Sequence, residues 1–239
     1  MSRGTPIQGP VVDRSAKPIM RIQENLLAKA ERRLLNWLCP RLPAWTKPDH
    51  LTSLGIVGAA LIFIGFSASH ADRNWLWLSV AGFLVHWFGD SLDGSLARFR
   101  KIERPRFGYF IDHSADGLGT LLIVAGLGLS PFVELEVAMI ALAGYLLMSI
   151  HAFLAARVVG ELKLSYVAAG PTELRILLIG LTVAMYLWGG HLPLFLGYNP
   201  FDLIVGAAGF GLILLFIVQT MVTARRIALE GEWGDTGPA

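Results

Sequence analysis

The chain is expected to be an all-α polytopic membrane protein, with six transmembrane helices preceded by an N-terminal amphipathic helix in the membrane interface. Three observations carry that expectation. Hydrophobic residues make up 54% of the 239 and charged ones only 16%, the charges coming in bunches. Six apolar segments approach the roughly 20 residues that cross a bilayer core, at 51–69, 75–96, 107–129, 132–155, 174–188 and 201–222. Of 20 Lys and Arg, nine precede the first segment, five lie between the second and third, three lie between the fourth and fifth or at the very start of the fifth, and two follow the sixth. Only Arg73 falls on the other side. By the positive-inside rule both termini face the cytoplasm, which requires an even number of spans.

Taken in order, residues 1–17 are polar and rich in Gly, Pro and Ser, and are expected to be a flexible tail with no cleavable signal peptide. Residues 18–47 hold the interfacial helix and a linker. Ile19, Ile22, Leu26, Ala30, Leu34, Trp37 and Leu38 recur at helical spacing, with Arg21, Lys29, Arg32 and Arg33 filling most of the opposite face. The same periodicity also fits a helix packed on a partner. Pro40, Pro43 and Pro48 end it. Residues 48–226 form the six-helix domain and 227–239 a short acidic tail. Cys39 is the single cysteine, so no intrachain disulfide exists. A net charge of +2 gives no case for nucleic acid.

The second and third spans carry aspartates. The pattern runs Asp90-x-x-Asp93-Gly94-x-x-Ala97-Arg98, then Gly108-x-x-x-Asp112-x-x-x-Asp116. A carboxylate near mid-membrane costs roughly 2.5–3.5 kcal/mol, so four unneutralised ones would cost about 10–14. On a helix, positions 90, 93, 94 and 97 share one face, and so do 108, 112 and 116. Two facing helices would thus offer carboxylates to a common site, with Gly94, Ala97 and Gly108 leaving the same stripes nearly bare. Hard oxygen ligands in this number suit one or two Mg²⁺ or Mn²⁺ ions, and a diphosphate can complete their coordination.

The stretch from Asp90 to Asp116 resembles the signature of the CDP-alcohol phosphotransferases. Its gap from Phe99 to Phe107 is one residue longer than usual, in a basic loop where an insertion is tolerated. Pro48-Asp49-His50-Leu51-Thr52 is similar to the family's entry to its first membrane helix, with Asp49 in place of Asn. The resemblance implies transfer of a substituted phosphate from a CDP-linked alcohol to a lipid or polar alcohol, with release of CMP. It implies that Asp90, Asp93, Asp112 and Asp116 bind the metal and that Asp116 is the general base. It further implies that Asp90, Gly94, Ala97, Arg98, Gly108 and Thr52 contact CDP, and that the enzyme is a homodimer. Asp112-His113 is similar to the pair found in CDP-aminoalcohol enzymes, and Gly55 stands where some CDP-diacylglycerol enzymes carry Arg. The short chain argues the other way, so donor and acceptor stay open, and His113 stands as a second candidate base.

Arg157 and Arg175, beside spans four and five, are candidates for head-group or phosphate contacts, though topology alone also explains them. His86, one turn before Asp90, is either a ligand-orienting residue or a satisfied core histidine, and His151 reads as structural. A divalent-cation transporter is the rival function. It predicts acidic residues spread through the membrane, whereas these four cluster at the basic, cytoplasmic end and leave Arg98 without a role.

Overall fold

A computed structural model describes residues 20–22, 27–163, 170–189, 195 and 197–230. Among them are seven α-helices: α1 (Ala28–Leu38), α2 (Pro48–Ala68), α3 (Leu76–Arg100), α4 (Pro105–Gly128), α5 (Leu135–Val158), α6 (Pro171–Trp188) and α7 (Pro200–Glu230). Pro starts α2, α4, α6 and α7, where its missing N–H is no loss and its fixed φ suits the first turn. Five of the helices, α2 and α4–α7, are long and apolar enough to cross a membrane. At 25 residues α3 is also long enough, but His86, Asp90 and Asp93 make it too polar to qualify on composition. We read it as the sixth span, because it lies against α2 over its whole length.

That pairing is antiparallel and very close. A Cβ on Gly89 would strike the backbone of Leu51 and Gly55, one on Gly58 the backbone of His86, and one on Gly65 that of Ser79. Small residues let the two backbones touch, which is how helices associate in a solvent that gives no hydrophobic drive. Helices α5 and α7 meet through the same device, with Gly209 against Ala141 and Gly144 against the Gly209 carbonyl.

The apolar core lies toward one end of the bundle. Phe66, Leu76, Leu127, Phe132, Met185 and Phe201 pack there, each buried. The aspartates occupy the opposite end. A second cluster covers part of that end, joining Leu35 of α1 and Cys39, 2% exposed, to Leu51, Leu92 and Leu96.

Two expectations need correction. The interfacial helix expected from Pro18 begins at Ala28, and Met20–Ile22 instead pairs in parallel with Glu161–Lys163. Of the expected apolar face, Leu34 and Trp37 are exposed, while Leu35 beside them packs on α3. Helix α7 continues through residues assigned to the C-terminal tail, ending at Glu230. The expected tail 1–17 and residues 231–239 lie outside the described residues.

Candidate active site

The close seam between α2 and α3 fixes where the α3 carboxylates point. Asp90 and Asp93 sit just beyond Gly89, the closest contact of the seam, and face the helix that follows the basic loop. Helix α4 brings Asp112 and Asp116 alongside. Asp90, Asp112 and Asp116 each offer a carboxylate oxygen within 4.8 Å of the others. Three hard oxygen donors at that spacing fit a small divalent cation, whose charge would offset theirs.

Asp93 stands outside that group. It is buried, and its carboxylate accepts a 2.6 Å hydrogen bond from Thr52 Oγ1 and another from the Gly94 N–H. Thr52 also back-bonds weakly to the Pro48 carbonyl, at 3.3 Å. So the expectation that both helices turn two carboxylates onto one point is met by three, with Thr52 holding the fourth at the site's edge. Asp93 and Asp112 together line a cavity of about 340 Å³. Thr52, Gly94, Ala97, Arg98 and Gly108 line it as well. A Cβ on Gly108 would meet nothing within 4 Å, so this wall is open. Asp49 and Arg104 form an ion pair beside the same cavity, and Arg104 also stacks over Phe107 at 4.2 Å.

Arg175 reaches the acidic cluster itself. It is 9% exposed at the start of α6, and its guanidinium forms an ion pair with Asp90. Nothing in the spacing of the sequence announces a contact 85 residues long. Arg157 is exposed in the last turn of α5 and is not among the cavity-lining residues. His86 is the satisfied histidine of the two alternatives, buried with Nδ1 3.0 Å from the Gly55 carbonyl. His151 is buried in α5, 3.4 Å from Thr220 Oγ1. His113 lies on α4 between Tyr109 and Phe153, ring centroids 4.2 and 5.0 Å away. Its Nδ1 is 2.9 Å from the Tyr109 carbonyl, which can only accept. Nδ1 is therefore the donor of this contact.

Two further groups escaped sequence reasoning. Arg100, which the charge asymmetry assigned to topology, donates to the carbonyls of Leu42, Pro43, Ala44 and Thr46 and straps the linker to α3. Glu31 of α1 accepts from α3 and α6 together. A chain of carbonyl acceptors leaves no signature in side-chain type, and an acid on an amphipathic helix reads as surface.

Comparison with known proteins bears on this arrangement directly. The CDP-alcohol phosphatidyltransferase family model matches residues 45–221, from the linker into α7. The chain belongs to that family. It is 28% identical over 126 residues to cholinephosphotransferase 1 of Danio rerio, covering 47% of this chain and 33% of that protein. The human cholinephosphotransferase 1 is 29% identical over 126 residues, covering 47% of this chain and 31% of the relative. Phosphatidylinositol phosphate synthase of Cutibacterium acnes is 36% identical over 90 residues, covering 37% and 40%. The matched part of this chain thus spans about a third of the cholinephosphotransferases. Within the family signature, the structure gathers three of the four carboxylates at one point, with Asp93, the glycines, Ala97 and Arg98 around the adjoining cavity.

Proposed function

We propose that this protein transfers a substituted phosphate from a CDP-linked alcohol to a hydroxyl acceptor, releasing CMP, in phospholipid synthesis. The observation that carries this reading is the convergence of Asp90, Asp112 and Asp116 beside a cavity lined by the remaining signature residues. The cavity volume, about 340 Å³, falls at the lower end of the range for small-molecule sites. Mg²⁺ or Mn²⁺ held by these carboxylates, with Asp93 adjoining, would supply Lewis-acid stabilisation of the diphosphate.

The chain's own residues do the rest. Gly94 and Gly108 leave room for the nucleotide to approach the backbone. Arg98, exposed at the cavity wall, meets its phosphates. Asp116 takes the proton of the acceptor hydroxyl as the acceptor oxygen bonds to phosphorus and the bond from phosphorus to the CMP oxygen breaks. His113 is the second candidate base, with Nδ1 engaged by the Tyr109 carbonyl so that Nε2 is the nitrogen left to take a proton in the neutral ring. The relatives' names divide between cholinephosphotransferase and phosphatidylinositol phosphate synthase. The Asp112-His113 pair supports a CDP-aminoalcohol donor without excluding CDP-diacylglycerol.

Purified protein with Mg²⁺ should release CMP from CDP-choline, CDP-ethanolamine or CDP-diacylglycerol given a suitable acceptor, and lose that release in excess chelator. Turnover that persists in chelator, or no release from any of the three donors, overturns the reading. The site is proposed to open to the cytoplasm. A cysteine replacing Lys101 should then react with an impermeant maleimide only from the inner face, and one replacing Asn74 only from outside. The reverse pattern would invert the topology.

A further inference from the structure

Helix α1 contributes one acidic side chain to the interior of the site end, and three helices meet on it. Glu31 Oε1 accepts from Trp87 Nε1 at 2.9 Å and Ser91 Oγ at 3.1 Å, both on α3, and from Thr172 Oγ1 at 2.7 Å, in the first turn of α6. A second contact runs the other way: the Leu27 N–H, at the start of α1, donates 2.9 Å to Glu173 Oε1 of α6. The other Glu173 oxygen accepts from the Gly170 N–H at 3.1 Å and caps α6. The start of α6 is therefore held to α3 through α1. Arg175, one turn beyond Thr172, is the residue that reaches across to Asp90. Residues 172 and 175 are three apart on one helix, so a shift or rotation of the first turn moves both.

We propose that Glu31 is a positioning residue for the metal site: it fixes the start of α6 against α3 so that Arg175 is held on Asp90. The arrangement has a specific electrostatic consequence. A guanidinium on Asp90 opposes a divalent cation on the same carboxylate, and it adds positive charge where the donor's phosphates arrive. Loosening the node should therefore tighten bare cation binding while impairing turnover. A residue that merely supported the fold would weaken both together. The proposal rests on the carboxylates binding a divalent cation, as in the proposed function.

The test titrates Mn²⁺ into the full chain in nanodiscs, followed by the loss of its free-ion paramagnetic resonance signal, alongside steady-state kinetics. Thr172→Val removes one arm of the node without changing charge. It should lower the Mn²⁺ Kd by about threefold and cut kcat by about tenfold, with little change in the KM of the lipid substrate, from loss of one charge-assisted hydrogen bond. Glu31→Ala should act in the same direction, and Glu31→Gln, which keeps the acceptor oxygen, should stay within about twofold of wild type. In an Arg175→Ala background Thr172→Val should leave the Mn²⁺ Kd unchanged. Weaker Mn²⁺ binding in Thr172→Val, or additive effects with Arg175→Ala, would overturn the proposal. So would a wild type that binds no Mn²⁺. If wild type binds Mn²⁺ and shows the Arg175-dependent shift but releases no CMP from any CDP-alcohol, the transferase reading fails and the coupling stands.

Discussion

Helices α3 and α4 each carry two of the signature aspartates, and they are held in opposite ways. Helix α3 is pressed into α2 so closely that Gly58, Gly82 and Gly89 leave no room for a single added carbon, and Asp93 is bonded on two sides. The half of α4 that faces the cavity is open: Gly108 and Gly117 have no neighbour within 4 Å of an added Cβ, and residues 105–110 are exposed. One wall of the site is thus a fixed frame and the other is free to adjust to what enters. A site that must also admit a bulky nucleotide gains from that division, because the frame fixes Asp90 and Asp93 while the α4 wall, which carries Asp112 and Asp116, leaves the substrate room.

The sharpest way to break the comparison is to treat the two helices alike. Gly89→Leu should destabilise the protein by more than about 3 kcal/mol through overpacking and yield no monodisperse material on gel filtration. Gly117→Ala should purify with an unchanged melting temperature. Equal behaviour of the two variants would remove the distinction. Next in size, Asp116→Asn on the open helix should keep its fold and lose several orders of magnitude in kcat, since it removes a proposed ligand and base together. His113→Gln should lose only severalfold; if instead it abolishes transfer while Mn²⁺ binding persists, His113 becomes the base. A smaller effect tests the frame itself. Thr52→Val removes the 2.6 Å bond to Asp93 and should reduce kcat/KM about tenfold, about 1.4 kcal/mol, without lowering the melting temperature. An unchanged rate would mean that the position of Asp93 does not depend on Thr52.

Much of this was legible in the sequence because lipid imposes a strong and simple rule. Apolar runs of the right length had to be spans, and the observed helices fall on them to within a few residues except at the end of α7. The aspartates stood out because charge is costly there, and helical spacing alone placed Asp112 and Asp116 on one face. What stayed hidden were contacts made by the same residue types in two unlike settings. The periodicity of Leu34, Trp37 and Leu38 reads the same whether the helix meets lipid or protein, and Leu35 lay outside it, so the docking of Leu35 on α3 could not be foreseen. Arg100 satisfied the positive-inside rule, and that sufficed to conceal its hold on the linker carbonyls. Arg175 was expected at a head group or phosphate from its place beside the fifth span, and nothing in a linear pattern reports its partner 85 residues away.

The backbone seam between α2 and α3 also bears on how the protein is made. Helix α3 carries His86, Asp90 and Asp93 and, among the described residues, is the one long helix that composition would leave outside the bilayer. Its partner α2 has a mean hydropathy of 2.0 in its best window, well above what is needed to enter alone. Only a short connection separates them, through residues 69–75, so the two can leave the translocon as a hairpin, the polar helix carried in on the apolar one. A bulky residue in the seam would then be felt during synthesis, before any folded protein exists to melt, as an α3 left on the wrong side of the membrane.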